Sequence, residues 1–229
     1  MKNRVRVALV GARGRMGQTI IDLAKSDPNI AIVARCDLGD AIDAAMKECD
    51  VAIDFSNASA VEEVCRSASK HRRALVIGTT GHSPEQRQLI ESAAKSLAIV
   101  FASNFSIGVN ALFALTRRAA EILGSEFKPE IVETHHTKKK DAPSGTAKTL
   151  GEILKRELKI DIPIESIREG DVVGEHTVTF VGPAERLELT HRAGSREIFG
   201  SGALRAAQWV VGKSPGLYSM QDVLGISSK

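Results

Sequence analysis

One short stretch of the chain, ETHHTKKKDAPSGTA from Glu133 to Ala147, concentrates side chains that can do chemistry. Its two histidines can release a proton near neutral pH, and its three lysines carry positive charge. The segment GTAKTLGEILKREL has the apolar spacing of a helix and predicts one from Gly145 to Leu158. Backbone N–H groups at the start of that helix would attract a carboxylate or a phosphate. The stretch therefore predicts a pocket for a small anionic substrate with a proton donor beside it.

The residues around this stretch must place it as a loop between a strand and a helix. The segment PEIVE, from Pro129 to Glu133, predicts a short strand, and Ser144 or Asp141 would cap the helix that follows Pro143. A solvated basic turn is the alternative interpretation of the lysines. Two later histidines, His176 and His191, fall in a sheet pattern, which favours a structural or interface role for each.

Composition limits the classes of partner and compartment. Lysine and arginine total 31 against 28 aspartates and glutamates, so a net charge of +3 argues against nucleic acid as a partner. The three cysteines, Cys36, Cys49 and Cys65, lack metal-ligand spacing, and we expect no metal and a reducing, cytoplasmic location. No apolar run approaches the roughly 20 residues of a spanning helix, and no signal peptide is recognisable, so we expect no membrane partner.

The first half of the chain predicts a dinucleotide site. A strand, RVRVALV, runs into GARGRMG and then into a helix, which is the context of a dinucleotide-binding turn. Gly11 permits a sharp turn, Gly14 lets the backbone approach a pyrophosphate, and Gly17 lets the helix pack on the strand. A second strand ends at Asp37, where a carboxylate would meet the adenine ribose and favour NADH. Arg13 and Arg15 in the turn keep NADPH open, because they would meet a 2′-phosphate.

Strands then alternate with helical patterns, which predicts a Rossmann-like parallel sheet with helices on both faces. Ligands of such sheets lie at the carboxyl ends of the strands. Besides the glycine turn, those ends carry Phe55-Ser56, Gly78-Thr79-Thr80 and Ser103-Asn104-Phe105. For Thr79 and Thr80 a simple turn is the alternative interpretation.

The second half predicts a separate α+β unit. Its segments ESIREGDVVGEHTVTFVG and ERLELTHRAGSR alternate apolar with polar residues, an antiparallel pattern that buries Val178, Phe180, Leu187 and Leu189 on one face. An open sheet of few strands needs cover, and oligomer formation is one way to provide it. We expect a dinucleotide-binding domain of residues 1–106, completed by about 206–229, and a substrate-binding and oligomerisation domain of 107–205 with a mixed or antiparallel open sheet.

These motifs together resemble one family. GARGRMG, IDFS, GTTG, SNFSIGVN, ETHHTKKKDAPSGTA, REGDVVGEHTVTF and ERLELTHRAGSR match the 4-hydroxy-tetrahydrodipicolinate reductases, also called dihydrodipicolinate reductases, through nearly the whole chain. The resemblance implies reduction of 4-hydroxy-tetrahydrodipicolinate in lysine and diaminopimelate biosynthesis by a cytoplasmic homotetramer that uses NADH or NADPH.

The resemblance also implies roles for individual residues. His135 looks like the general acid, and Lys139 looks like the lysine that assists proton transfer and holds the substrate. His136, Ser144, Gly145 and Thr146 look like positions that bind the substrate carboxylates. The resemblance implies cofactor contacts at Gly11, Arg13, Arg15, Met16, Asp37, Gly78, Thr80, Asn104 and Phe105. The glycine turn and the strand ends add Gly14, Gly17, Phe55, Thr79 and Ser103 to the expected cofactor positions.

Two features depart from the family. The connection from Asp37 to Asp50 is short, and Leu38 stands where some members carry arginine, which again favours NADH. Two other functions remain as alternatives: another two-domain dehydrogenase of amino acids, and a dinucleotide sensor without catalysis. The dehydrogenases lack the histidine and lysine loop, and a sensor needs no proton donor beside an anion site.

Overall fold

The computed structural model describes residues 4–37 and 39–226, so that Leu38 and both chain ends lie outside the described residues. Within that part, the chain forms two compact units. The first takes residues 4–106 and 197–225, and the second takes Ile107–Arg196 and residue 226. Of the described helices, none is long and apolar enough to cross a membrane.

The first unit is built on a six-stranded parallel sheet in the order β10-β5-β4-β3-β1-β2. The strands are β1 (Val5–Val10), β2 (Ile30–Cys36), β3 (Val51–Asp54), β4 (Ala74–Ile77), β5 (Ala98–Phe101) and β10 (Gly216–Tyr218). The helices are α1 (Arg15–Ser26), α2 (Ile42–Glu48), α3 (Val61–His71), α4 (Pro84–Ala94), α7 (Glu197–Val210) and α8 (Met220–Leu224). The predicted Rossmann-like sheet is confirmed.

Apolar strands explain why this sheet lies inside the first unit. Val7, Ala8, Leu9 and Val10 of β1 are all buried, although successive side chains point to opposite faces. Helices must therefore cover both faces, as parallel sheets require. Because all six strands run in one direction, their carboxyl ends share one edge of the sheet.

The second unit contains a four-stranded mixed sheet in the order β7-β6-β8-β9. Its elements are α5 (Ile107–Leu123), β6 (Lys128–His135), α6 (Gly145–Leu158), β7 (Ile164–Arg168), β8 (Glu175–Val181) and β9 (Arg186–Arg192). The bounds predicted for α6 are confirmed. Val178 and Phe180 are fully buried as expected, but Leu187 is 39% exposed because it lies on the edge strand β9.

Strand β7 corrects the antiparallel prediction for this region. It pairs parallel with β6, whereas β8 pairs antiparallel with β6 and β9 antiparallel with β8. Helix α6 is the reason, since it connects β6 to β7 as a crossover and returns the chain in the same direction.

The helix α7 lies wholly in the first unit, where it packs against α1 and the sheet. The sequence-based domain boundary near residue 206 falls inside this helix. A helix packs as one rigid element, and the glycine face of α7 presses Gly200 against Leu23 and Gly202 against the Phe105 carbonyl. The whole of α7 therefore follows the first unit.

Candidate functional site

A buried carboxylate, Glu133, lies at the centre of the histidine-rich region. Strand alternation on β6 turns Ile131, Glu133 and His135 to the same buried face. One carboxylate oxygen of Glu133, Oε2, contacts Nδ1 of His135. The other, Oε1, accepts hydrogen bonds from Arg168 Nη2 at 2.9 Å and from the Ser144 N–H at 3.2 Å. One fully buried side chain thus joins β6, β7 and the start of α6.

The pKa values of Glu133 and His135 depend on burial and on the charged groups that contact these two side chains. Burial alone would raise the pKa of Glu133, but the hydrogen bonds from Arg168 and His135 help to outweigh it, so the net pKa lies below its usual range. Burial lowers the pKa of His135, and Glu133 opposes that shift only in part. Lys139 and Arg168 lower it further. Glu133 is therefore ionised at neutral pH and favours a proton on His135.

The second ring nitrogen of His135, Nε2, makes no hydrogen bond within the described part of the chain. Gly174 lies next to it, and a Cβ added there would come within 3.0 Å of Nε2. The ring of His176 stands edge-on to that of His135, with 5.1 Å between the ring centroids. Nε2 is thus the ring atom left available to a ligand.

His176 belongs to the same network, although the sequence pattern favoured a structural or interface role for this histidine. It lies directly opposite Glu133 across β6 and β8, and its Nε2 lies 3.1 Å from the Ser144 hydroxyl. Burial, followed by the nearby charge of His135, lowers the pKa of His176 to about 4. The ring is therefore neutral at physiological pH, and it braces the start of α6.

The start of α6 is organised by Ser144 as the N-cap residue. The Ser144 hydroxyl accepts the Ala147 N–H and also contacts His176, so it is engaged inside the protein. Gly145 follows as the first helical residue, where the N–H has no acceptor inside the helix. A Cβ at Gly145 would meet no atom of the described residues within 4 Å, which indicates open space at this point. Thr146 is the next residue of the helix.

The loop before α6 carries the predicted lysine and the second histidine. Lys139 Nζ lies 2.8 Å from an Asp141 carboxylate oxygen, and this pairing lowers the pKa of Asp141. The Asp141 carbonyl accepts a hydrogen bond from Arg168 at 2.6 Å, which ties the loop to β7. Among the described residues, none forms a hydrogen bond with the buried Nδ1 of His136. The loop thus carries the ion-paired Lys139, while the Nδ1 atom of His136 lies inside the protein.

Possible metal-ligand atoms of Glu133, His135 and His176 lie within 4.8 Å of one another. Both Glu133 oxygens are already hydrogen-bonded, one of them to a guanidinium. A metal ion at this place would have to compete with these hydrogen bonds. We therefore interpret these three side chains as a hydrogen-bond network and not as a metal site.

In the first unit, the glycine turn closes tightly at the carboxyl end of β1. Gly11 has φ +83°, and a Cβ there would come within 2.5 Å of the Phe55 carbonyl oxygen. A Cβ at Gly17 would strike backbone atoms of Gly11 and Ala12. Gly14, the N-cap of α1, is exposed. The turn thus has the bare, outward-facing backbone that a pyrophosphate group needs, so these residues fit a dinucleotide.

Asp37 lies beside this turn at the end of β2. Its Oδ2 accepts the Arg13 N–H at 2.9 Å, and the Arg13 Nε lies 3.7 Å away. The side chains of Arg13 and Arg15 are exposed. An acidic and a basic group therefore meet where an adenine ribose would lie, and the geometry accommodates either dinucleotide.

Some of the remaining predicted cofactor positions are buried, and others are exposed or half-buried. Phe55 and Phe105 pack together with ring centroids 5.6 Å apart, and Gly78 lies against the Phe55 ring, which leaves no room for a Cβ. Phe105 and Thr79 are buried, and the Thr79 hydroxyl turns toward the Asp54 carbonyl at 3.4 Å. Thr80 and Ser103 are exposed, and Met16 and Asn104 are half-buried.

Comparison with known proteins points to one family for both units. Residues 5–105 match the family profile described as "Dihydrodipicolinate reductase, N-terminus", and residues 108–224 match "Dihydrodipicolinate reductase, C-terminus". A 4-hydroxy-tetrahydrodipicolinate reductase of Akkermansia muciniphila is 47% identical over 97% of this chain and 99% of the relative. One of Geobacter metallireducens is 40% identical over 97% and 99%.

A solved structure shares the fold. Dipicolinate-bound dihydrodipicolinate reductase from Paenisporosarcina sp. TG-14 superposes with a TM-score of 0.80 at 24% identity, over 96% of this chain and 98% of that one. A diaminopimelate dehydrogenase of C. glutamicum has the same architecture at a TM-score of 0.62 and 14% identity, over 100% and 97%.

Proposed function

The chain belongs to the dihydrodipicolinate reductase family, and we propose that it reduces 4-hydroxy-tetrahydrodipicolinate with a hydride from NADH or NADPH. One observation carries the assignment of the site. The Glu133 carboxylate bonds both the His135 ring and the Ser144 N–H, so the proton donor and the anion-attracting helix start are held by one group.

His135 is the proton donor in this proposal. When bound, the reduced nicotinamide would supply a hydride to the conjugated cyclic imine that forms when the substrate loses its hydroxyl group as water. The resulting electron density must take up a proton, and a histidine is a suitable acid near neutral pH. Nε2 of His135 is available for this step because Nδ1 is engaged by Glu133.

The substrate is a dicarboxylate, and the loop offers matching groups. Lys139 is held 2.8 Å from Asp141, a pairing that a substrate carboxylate can exchange for its own. His136, on the same loop, is assigned to the substrate as well. The Gly145 and Thr146 backbone lies at the positive end of α6. Ser144 supports these groups as the N-cap.

The dinucleotide is assigned to the first unit. The Gly11–Gly17 turn would hold the pyrophosphate, and Asp37 with Arg13 would meet the adenine ribose. Arg15, Met16, Gly78, Thr80, Ser103 and Asn104 lie along the same carboxyl edge of the sheet, with Phe55, Thr79 and Phe105 as its floor. NADH is the preferred cofactor in this proposal, because Asp37 repels a 2′-phosphate.

The second unit also suggests how the protein assembles. Helices α5 and α6 cover one face of its sheet, while Val181 and Ile167 of the other face are 37% exposed. We assign that outer face to contacts between copies in a homotetramer. Light scattering on the purified protein would give the mass of the assembly.

A coupled assay tests the reaction. Freshly generated 4-hydroxy-tetrahydrodipicolinate is supplied, and loss of NADH or NADPH absorbance is followed at equal cofactor concentrations. Substrate-dependent consumption is expected, with kcat/KM higher for NADH. A protein that binds dinucleotide but consumes none would instead be a sensor.

Two variants test the roles of the loop. His135→Gln should lower kcat by roughly 100-fold and leave dinucleotide binding unchanged. Lys139→Ala should lower kcat and also weaken substrate binding. His71→Gln, which alters a histidine of the first unit, is the matched control. Unchanged turnover in both loop variants would refute their assigned roles.

A further inference from the structure

We propose that Glu133 is a positioning residue for proton transfer, accepting Nδ1–H from His135 so that Nε2 delivers the proton. This inference rests on the proposed function, because it concerns the group that acts through His135. Glu133 itself is fully buried behind the His135 ring and acts on that ring.

The position of the Glu133 carboxylate is fixed from several sides. Oε1 is held by Arg168 from β7 and by the Ser144 N–H from the start of α6, and Oε2 is left to His135. If the buried carboxylate rotated away from these partners, it would lose several hydrogen bonds at once. The carboxylate therefore cannot turn away from the ring, and it imposes one orientation on His135.

This contact selects one tautomer of His135. An ionised carboxylate can only accept hydrogen bonds, so the His135 Nδ1 that faces it must carry a hydrogen. The neutral ring then has a bare Nε2, and the protonated ring carries a second hydrogen there. The transferable proton is thus placed on Nε2, the ring atom that lies beside Gly174.

The surrounding charges make Glu133 necessary. Lys139 on the loop and Arg168 on β7 both disfavour a positive His135, and His176 on β8 contributes no anion. The Asp141 carboxylate is paired with Lys139. Glu133 is therefore the buried anion that offsets these cations when His135 takes up its proton.

The proton balance of the step is simple. Once the 4-hydroxyl group has left as water, a bound reduced nicotinamide would supply a hydride to a ring carbon of the resulting conjugated imine and would become the oxidised cofactor. The substrate anion takes the Nε2 proton, which leaves neutral His135 with its hydrogen on Nδ1 bonded to Glu133. A proton from the bulk solvent then returns to Nε2. Glu133 stays ionised throughout and exchanges no proton.

The experiment uses the full-length protein labelled with ¹⁵N in its histidine rings. Correlation spectra assign the tautomer of each ring, and the His135→Gln spectrum identifies the His135 signals. Glu133→Gln removes the charge with little change of shape. Glu130→Gln on the same strand is the control, because Glu130 is exposed on the opposite face.

In the native protein, neutral His135 should carry its hydrogen on Nδ1. In Glu133→Gln, its titration midpoint should fall to lower pH, and kcat at neutral pH should drop about 10- to 100-fold. Activity should partly recover as the pH is lowered, which a folding defect would not produce. Glu130→Gln should match the native protein in all three measurements.

A neutral His135 with its hydrogen on Nε2 and a bare Nδ1 would overturn the inference, whatever the activity. So would a Glu133→Gln variant with an unchanged titration midpoint. Full turnover in His135→Gln would instead refute the proton-donor assignment while leaving the tautomer result standing. The two failures are therefore distinguishable.

Discussion

Replacing His176 with glutamine should remove a defined part of the protein's pH-dependent stability. Burial is the main reason that the pKa of native His176 is lowered from 6.5 to about 4. Between those values the unfolded chain binds a proton that the native chain does not, so native stability rises with pH. Glutamine can keep the contact with the Ser144 hydroxyl but cannot titrate.

The size of the effect follows from the two pKa values. The full difference is worth about 3 kcal/mol once the pH is below both values. At about pH 5, where acid unfolding is less of a concern, the loss relative to about pH 8 is about 2 kcal/mol. The Glu133 and His135 charges act in both proteins, so the comparison between them isolates His176.

Urea unfolding followed by circular dichroism measures this difference. The native protein should lose about 2 kcal/mol more than His176→Gln between about pH 8 and about pH 5. A direct titration of the His176 ring by NMR should show no uptake of a proton until well below pH 6.5. Parallel stability curves for the two proteins would refute the reasoning.

Three further substitutions test other parts of the structure. Gly145→Ala should keep the native melting temperature but raise KM for the dicarboxylate roughly tenfold, since the open space that a Cβ would enter is assigned to substrate. Gly194→Ala, where a Cβ also meets nothing, should change neither quantity. Gly17→Ala should lower the free energy of unfolding by about 1–3 kcal/mol, because the added Cβ would strike the backbone of Gly11. An unchanged midpoint of urea unfolding would contradict this. Asp37→Asn keeps the acceptor for the Arg13 N–H but removes the charge, so the kcat/KM ratio of NADPH to NADH should rise about tenfold; an unchanged ratio would exclude Asp37 from cofactor selection.

Much of the fold could be predicted because its signals are local. The apolar spacing after Ser144 gave the bounds of α6, and the glycine turn gave the strand and helix around it. Helix α2 was missed because seven residues are too few to show helical periodicity. The parallel pairing of β7 was missed because alternation shows which face is buried and says nothing about strand direction.

The candidate site was harder to predict because its partners are distant in sequence. Arg168 lies 35 residues from Glu133, and Ser144 lies 32 residues from His176, so no local motif joins them. One signal was available. The alternation in EIVETH places Ile131, Glu133 and His135 on one face, and a carboxylate in an apolar row calls for a buried partner.

The Glu133 network spans neighbouring strands in direct register, with Glu133 opposite His176 and His135 opposite Arg168. A slip of one residue would turn Glu133 and His135 to the other face of the sheet. Such a molecule could keep its secondary structure and compactness while losing the proton donor. The specific activity of a refolded sample would then report the fraction of molecules in which β6 is paired in the native register. Circular dichroism would not distinguish these molecules from those with a shifted β6.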